Sequence, residues 1–353
     1  MLLYETIDAS QAPRSPVDSG ALGFLYYKGG VNNQKMAIAG LLLTAIARRQ
    51  RVSLPYVFLW DQVRGGDFLT PFANIFAPEP VRRFAEQMQI ALADEPPVDD
   101  RSEWTYLRGF SELLATNSSR IVVMTVLQAV ACLRPRIATH ALFERLRNHV
   151  HTALGIRAAI QLRIEHDWIE YAPYLRSQVG DHNEDLDLDF VGILSKVKAA
   201  RPDLRIAYVT CDEGALPTPK HEIRALARSR FDIDLVWKSD FLGEAELRTL
   251  TSVDQSLIDF EIARSCERFF GLTRSTFANM LCLETFAATG KDVAGHYIYN
   301  NIGPAAVPRR DNGFAVMAAR AVMDNPVAAL VLDEPRGGDA GPIASMRPEA
   351  DGA

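Results

Sequence analysis

The segment Arg157-Ala-Ala-Ile-Gln-Leu-Arg163-Ile-Glu-His-Asp167-Trp168 most narrows what this chain can fold into. Ala158 to Ile164 is a short apolar run with Gly155 just upstream, the pattern of a buried parallel strand. Charge gathers at its carboxyl end, in Arg163, Glu165, His166 and Asp167. Open α/β sheets bind ligands outside the carboxyl ends of their strands, and a guanidinium presents a planar fork of donors suited to a diphosphate. An arginine paired with Glu165 or Asp167 to tie down a loop accounts for the same residues, and both readings stay open at this point.

At 353 residues the chain is long enough for two domains with real cores, and 48% hydrophobic with 23% charged residues is ordinary for a globular protein. The formal net charge of -6 gives no general attraction to phosphate backbones or anionic lipid, which argues against nucleic-acid and membrane-surface roles. The start, Met-Leu-Leu-Tyr-Glu-Thr-Ile-Asp, lacks a basic region and a long apolar stretch, so no signal peptide is expected. Ala37 to Ala47 and Ile121 to Leu133 are the most apolar windows and fall short of the roughly 20 residues a bilayer requires. The expectation is a cytoplasmic protein with no membrane span. Cys132, Cys211, Cys266 and Cys282 are far apart, form no C-x-x-C pair, and read as reduced core residues.

The amino-terminal half reads as strand, glycine turn and helix. Leu22 to Tyr27 is the strand, Lys28-Gly29-Gly30-Val31-Asn32-Asn33-Gln34 the turn, and Met36 to Arg51 the helix, with Ala37, Leu41, Leu42 and Ala45 on one face. Such a turn offers backbone N–H groups and a helix amino end to a ligand, and paired glycines permit close approach. It is neither a G-x-G-x-x-G nor a Walker loop, and a plain tight connection is the alternative. A strand near Tyr56 to Leu59 opens a loop-rich region reaching Ala91, and Asp94 to Asp100 reads as a solvated turn. Ile121 to Val130 suits a strand or a buried helix. Pro135 to Leu154 suits an amphipathic helix whose His140, His149 and His151 lack metal-ligand spacing.

Gly155 marks the expected boundary, dividing an amino-terminal domain of residues 1–154 from a carboxyl-terminal domain of residues 155–333, with 334–353 a disordered tail. Beyond the strand at Ala158, a loop to Gly180 and an acidic patch at Asp181 to Asp189 precede a helix from Leu188 to Ala200. Arg205 to Glu213 is a second buried strand with Thr210, Asp212 and Glu213 at its carboxyl end; Asp212 suits a ligand crevice or a cap on the following turn. Then come a helix at Pro219 to Arg228, a strand at Asp234 to Trp237, and a helix from Val253 to Cys266 carrying Asp259. A strand at Arg268 to Gly271 ends in the turn Leu272-Thr273-Arg274-Ser275-Thr276-Phe277. Ser275 and Thr276 offer hydroxyls and N–H groups to phosphate, or simply cap the helix that runs to Thr289 before Gly290. A strand at Val293 to Tyr299 and a helix at Phe314 to Met323 complete the pattern.

Several of these segments, in order, resemble the protein O-fucosyltransferases and the plant O-fucosyltransferase family. Arg163, Glu165 and Asp167 match the family's His-Leu-Arg-(Phe/Tyr)-Glu-x-Asp segment, with Gln161 where the family has its His. Gly29, Gly30, Asn33 and Gln34 match a Gly-Gly-x-x-Asn-Gln element, and Thr210, Asp212 and Glu213 match an Ala-Thr-Asp-Glu strand end. The Asp259 helix, the strand at Arg268 and the Ser275-Thr276-Phe277 turn are similar to the family's acid-bearing helix, Phe-(Ile/Val)-Gly strand and Ser-Ser-Phe turn.

The resemblance implies an α/β protein of the GT-B arrangement, two Rossmann-like domains facing a central cleft. It implies an inverting glycosyltransferase that moves fucose from GDP-fucose to a hydroxyl of a protein or glycan acceptor, with no metal and no other cofactor. Arg163 and Asn33 are then the catalytic candidates. Gly29, Gly30, Asn32, Gln34, Glu165, Asp167, Asp212, Glu213, Asp259, Ser275, Thr276 and Phe277 are the candidates for binding substrate. A nucleotide-sugar-binding protein with little turnover, or a transferase for another GDP-sugar, are the alternatives.

Overall fold

Short apolar runs alternating with helix-length amphipathic segments give an α/β molecule, of which the computed structural model describes residues 6–8, 20–61, 66–94, 103–116, 120–179, 184–289 and 295–309. The expected tail and the helix at Phe314 to Met323 lie outside the described residues.

In the amino-terminal half, β1 (Ile7–Asp8) precedes β2 (Ala21–Leu22), and α1 (Val31–Arg48) carries the chain back to β3 (Arg51–Val52). β2 and β3 are parallel, with Leu22 opposite Val52, and a third segment lies beside them: the Val52 N–H donates to the Ala91 carbonyl and the Val52 carbonyl accepts from the Ala93 N–H. This is a small strand-helix-strand unit. The strand expected through Tyr27 is regular only at Ala21–Leu22, whereas α1 starts earlier than Met36: the Gly30 carbonyl accepts from Asn33 and Gln34, so Asn32, Asn33 and Gln34 form the first turn of the helix. β4 (Tyr56–Asp61) falls where a strand was expected and makes an antiparallel hairpin with β5 (Gly66–Pro71), which lies in the region read as loop-rich; β1 is on the outer edge of β5. Four helices follow: α2 (Phe72–Ile75), α3 (Pro78–Gln87), α4 (Glu103–Thr116) and α5 (Arg120–Ala131). Gly40 lets α1 and α4 touch, since a Cβ there would lie 2.0 Å from the Tyr106 carbonyl oxygen. A 3-10 turn at Arg136–Thr139, α6 (Ala141–Asn148) and a π turn at His149–Ala153 replace the single helix expected from Pro135. His140 interrupts it, its Nδ1 accepting the Leu142 N–H at 3.2 Å as an amino-terminal cap.

Beyond Gly155, which holds φ +62°, the chain runs β6 (Ala158–Gln161), α7 (His166–Val179), α8 (Phe190–Ala200), β7 (Ile206–Thr210), α9 (Lys220–Phe231) and β8 (Asp234–Val236). It continues α10 (Glu244–Leu247), α11 (Ser252–Ser265), β9 (Arg268–Gly271), α12 (Thr276–Thr289), β10 (His296–Ile298) and β11 (Val307–Pro308). The expected loop after β6 is instead α7. Pro173 inside it removes a backbone bond at about 3 kcal/mol, but Trp168, Ala172 and Leu175 recur at helical spacing and are all buried, with about 1.5–3 kcal/mol from a leucine-sized side chain alone.

The six-stranded sheet has the order β11-β10-β9-β6-β7-β8, parallel throughout except for β11 at the edge. The chain moves outward from β6 through β7 to β8, then returns to place β9 on the other side of β6. Alternate residues feed two cores. Ala159, Tyr208 and Phe269 face a core shared with Leu42 of α1, Phe260 of α11 and Leu281 of α12. Ile160, Val209 and Phe270 face a second, filled by Leu175 of α7, Val197 of α8 and Ile223 of α9. The first core runs uninterrupted from one side of Gly155 to the other.

Candidate active site at the switch point of the sheet

The order of this sheet opens a crevice between β6 and β9, where the chain reverses its direction of winding and the loops at the strand carboxyl ends part. Two elements meet there. One is the Leu162–Glu165 exit from β6 and the other is the Leu272–Ser275 turn from β9 into α12. Gln161 Nε2 donates to Ser275 Oγ at 2.8 Å across the gap, and Tyr299 OH donates to the Gln161 carbonyl at 2.8 Å from the β10 side.

Arg163 leaves β6 beside this crevice. Its side chain is 25% exposed and lines a hollow with Trp168, Asp185, Leu188, Tyr299 and Asn300. The guanidinium carbon lies 5.5 Å over the Trp168 ring, a cation–π geometry. Nη1 and Nη2 form the two-pronged contact with Asp167 at 3.1 and 2.7 Å, and Nη1 also donates to Glu165 at 3.2 Å. The arginine is therefore tied to its neighbours, as the loop-tying reading expected, while its side chain lines the hollow at the end of β6. Burial works against its charge, but Glu165 and Asp167 outweigh that and raise its pKa.

The two carboxylates differ in role. Glu165 is buried, and its Oε1 accepts the Asp212 N–H at 3.1 Å, so it fastens the end of β6 to the end of β7. Burial raises its pKa against the pull of Arg163. Glu165 is thus a brace for the arginine. The Asp167 side chain is 66% exposed and stays within reach of solvent and ligand.

Ser275 is buried; its Oγ accepts from Gln161 and, weakly at 3.4 Å, from the Ala278 N–H, while Thr276 opens α12. The turn is held by residues that the motif comparison did not select. Asn300 Oδ1 accepts the Thr273 N–H at 3.0 Å, and Glu184 accepts from Thr273 Oγ1 at 2.8 Å and pairs with Arg274.

Gln161 Oε1 and Thr210 Oγ1, on residues paired across β6 and β7, are buried without a hydrogen-bond partner. Polar oxygens in that state seek a donor from water or ligand.

Four candidates are engaged in contacts within the fold. Phe277 is partly buried and packs against the core on Phe260 and Phe269, with ring centroids 5.3 and 6.1 Å away. Asp212 caps the turn after β7, its side chain accepting the Gly214 N–H at 3.0 Å. Glu213 accepts from Ser239 and pairs with Lys220 and Lys238. Asp259 is buried between Tyr208 OH at 2.7 Å and Lys238 Nζ at 2.8 Å. Burial pushes Asp259 up to about 6 despite Lys238, whereas Lys220 and Lys238 draw Glu213 below the usual range against its own burial. Asp259 and Glu213 together keep Lys238 charged although burial opposes it. Spacing alone could not distinguish these buried acids from crevice acids.

At the amino-terminal turn, Gln34 is also structural. Its amide mimics a strand: Nε2 donates to the Gly29 and Phe58 carbonyls and Oε1 accepts the Phe58 N–H, all at 2.9 Å. Gly29 is required because a Cβ would sit 2.4 Å from the Tyr27 ring, while a Cβ on Gly30 would meet open space. Asn32 is buried with Oδ1 unpartnered, and Asn33 is half-buried on the next position of α1.

Burial raises the thiols of Cys132 and Cys266 to about 12 and lifts that of Cys211 well above the usual thiol range; Cys132 and Cys282 are buried as expected, whereas Cys211 and Cys266 are partly buried. Among the described residues no three His, Cys, Asp or Glu side chains form a group that could hold a metal ion, and no helix is long and apolar enough to cross a membrane.

No family model and no curated protein matches the chain. Among solved structures it is similar to POFUT1 in complex with GDP, at 13% identity and a TM-score of 0.47 over 80% of this chain and 98% of that one. POFUT1 in complex with GDP-fucose gives 12% identity and 0.44, over 78% of this chain and 97% of that one. A mutant of Arabidopsis thaliana FUT1 in complex with GDP gives 10% identity and 0.36, over 78% and 71%.

Proposed function

We propose that this protein transfers fucose from GDP-fucose to a hydroxyl acceptor, with inversion at the anomeric carbon. The observation that carries the reading is the placement of Arg163 and of the Ser275 turn on the two sides of the sheet's switch point, bridged by Gln161. The identity of the donor rests on the resemblance of the segments around Arg163, Thr210 and Ser275 to those of the O-fucosyltransferases. The acceptor oxygen attacks the anomeric carbon and releases its proton to solvent as the bond to the diphosphate oxygen breaks, and GDP leaves with the electron pair. Arg163 neutralises the charge growing on the diphosphate, and the amino end of α12 adds N–H donors to it. Asp167, being exposed, gives up the guanidinium fork at little cost when a diphosphate arrives. Asn33 is proposed to orient the acceptor. No acid stands between Gly29 and Gln34, and a general base is not assigned.

The test is incubation with GDP-fucose, a panel of hydroxyl acceptors and excess EDTA. Because the cation at the diphosphate is an arginine, release of GDP with transfer of fucose is expected to proceed undiminished by the chelator. Activity lost to EDTA and restored by manganese or magnesium would contradict the arginine's role. The second reading, a binder with little turnover, is favoured by Gln161 standing where the resembled family has a histidine and by its amide being engaged on Ser275. GDP-fucose bound without GDP release from any acceptor mixture would select that reading.

A further inference from the structure

The least exposed charged side chain among the described residues lies at neither strand end. Lys35, on α1 directly after the Gly29–Gln34 turn, is 0% exposed, and its ammonium pairs with Glu284 of α12, 249 residues away in sequence, whose side chain is 13% exposed. The same ammonium lies 4.8 Å from the Phe260 ring of α11, and Phe260 meets Phe277, on the first turn of α12, edge to face at 5.3 Å. Glu261 of α11 is buried, accepts Arg264 at 2.6 Å, and acts with its negative charge on Glu284. The contacts thus run from the helix turn bearing Asn33, through Lys35, to the helix that follows Ser275.

A lysine inside an apolar core is a poor choice for packing alone, because an unpaired charge there is far costlier than a methionine of the same length. What it adds is direction: one charge-assisted bond fixes α1 against α12 at a set height, where apolar side chains would tolerate sliding. We infer that Lys35 is a positioning residue that holds the Asn33 turn in register with the Ser275 turn, so that acceptor and donor sides of the site move as one body. The inference rests on the proposed transfer for its catalytic consequence but not for its structural one.

The experiment therefore has a ligand-free arm and a kinetic arm, in Lys35→Met and in Glu284→Gln, the second keeping a hydrogen-bonding side chain in case the first does not fold. In hydrogen exchange without ligand, residues 28–34 and 272–277 are expected to lose protection together, about tenfold or more, while β6 and β7 keep theirs. In the kinetic arm, kcat for fucosyl transfer is expected to fall about tenfold or more with GDP affinity within about threefold of wild type. A Lys35→Arg variant should recover most of both. Exchange that rises only within α1, or uniformly over the chain, would overturn the inference, as would GDP affinity falling in step with kcat. If wild-type protein transfers no fucose, the proposed function fails, and the exchange arm alone decides the coupling.

Discussion

Replacing Arg163 with lysine is expected to lower the rate of fucosyl transfer by about a hundredfold to a thousandfold, the loss usual when one preorganised donor to developing charge is removed. Lysine keeps the positive charge but offers a point donor in place of a fork, and it loses the stacking over Trp168. Stability should change modestly, because the contact with Asp167 is a surface ion pair worth about 0–1 kcal/mol and lysine keeps a positive charge beside the buried Glu165. Steady-state kinetics with a thermal melt of each variant checks this. Near-normal turnover in Arg163→Lys, or an activity loss matched by unfolding, would remove the arginine from the chemistry.

The largest effect on stability is expected at Lys238. Replacing it with methionine leaves Asp259 buried with only the Tyr208 hydroxyl and leaves Glu213 with Lys220 and Ser239. Breaking a buried pair by removing one partner costs about 3–5 kcal/mol, read as a shift in urea midpoint at unchanged slope. Adding Asp259→Asn to the same chain should return much of it, since the orphaned charge is then gone. The pH dependence has a definite sign. Burial holds Asp259 at about 6, above the 3.8 of an ordinary aspartate, so the folded chain holds its proton more tightly than the unfolded chain. The stability this contributes is complete below pH 3.8 and lost as pH rises through about 6. Without Lys238 the window should extend upward, and Lys238→Met should be least impaired in mild acid. An equal deficit at acid and neutral pH would show that lost packing, and not an unpaired carboxylate, is responsible.

The sheet of the carboxyl-terminal half was legible because its strands are buried on both faces and read as short apolar runs; β9 falls where Arg268 to Gly271 suggested. The crevice was legible for the same reason, since polar residues concentrate where such strands end. What escaped were features set by partners distant in sequence. α7 escaped because Pro173 argues against a helix unless the burial of Trp168 and Leu175 is known. Gln34 resembles a ligand-binding amide until Phe58 is seen to occupy it. Asp259 and Glu213 lie where crevice acids belong, but α11 and the Lys238 turn fold over them and make them internal counter-ions. Lys35 gave no signal at all, because its reason for being charged is Glu284 on the far side of the core.

The central claim is that the switch-point crevice holds the diphosphate of a GDP-sugar through Arg163. Calorimetric titration of GDP-fucose into wild-type protein and Arg163→Lys tests it most directly. One site per chain, displaced by GDP and markedly weakened in the variant, is the predicted result. The absence of binding to wild type, or equal affinity in the two proteins, would contradict it.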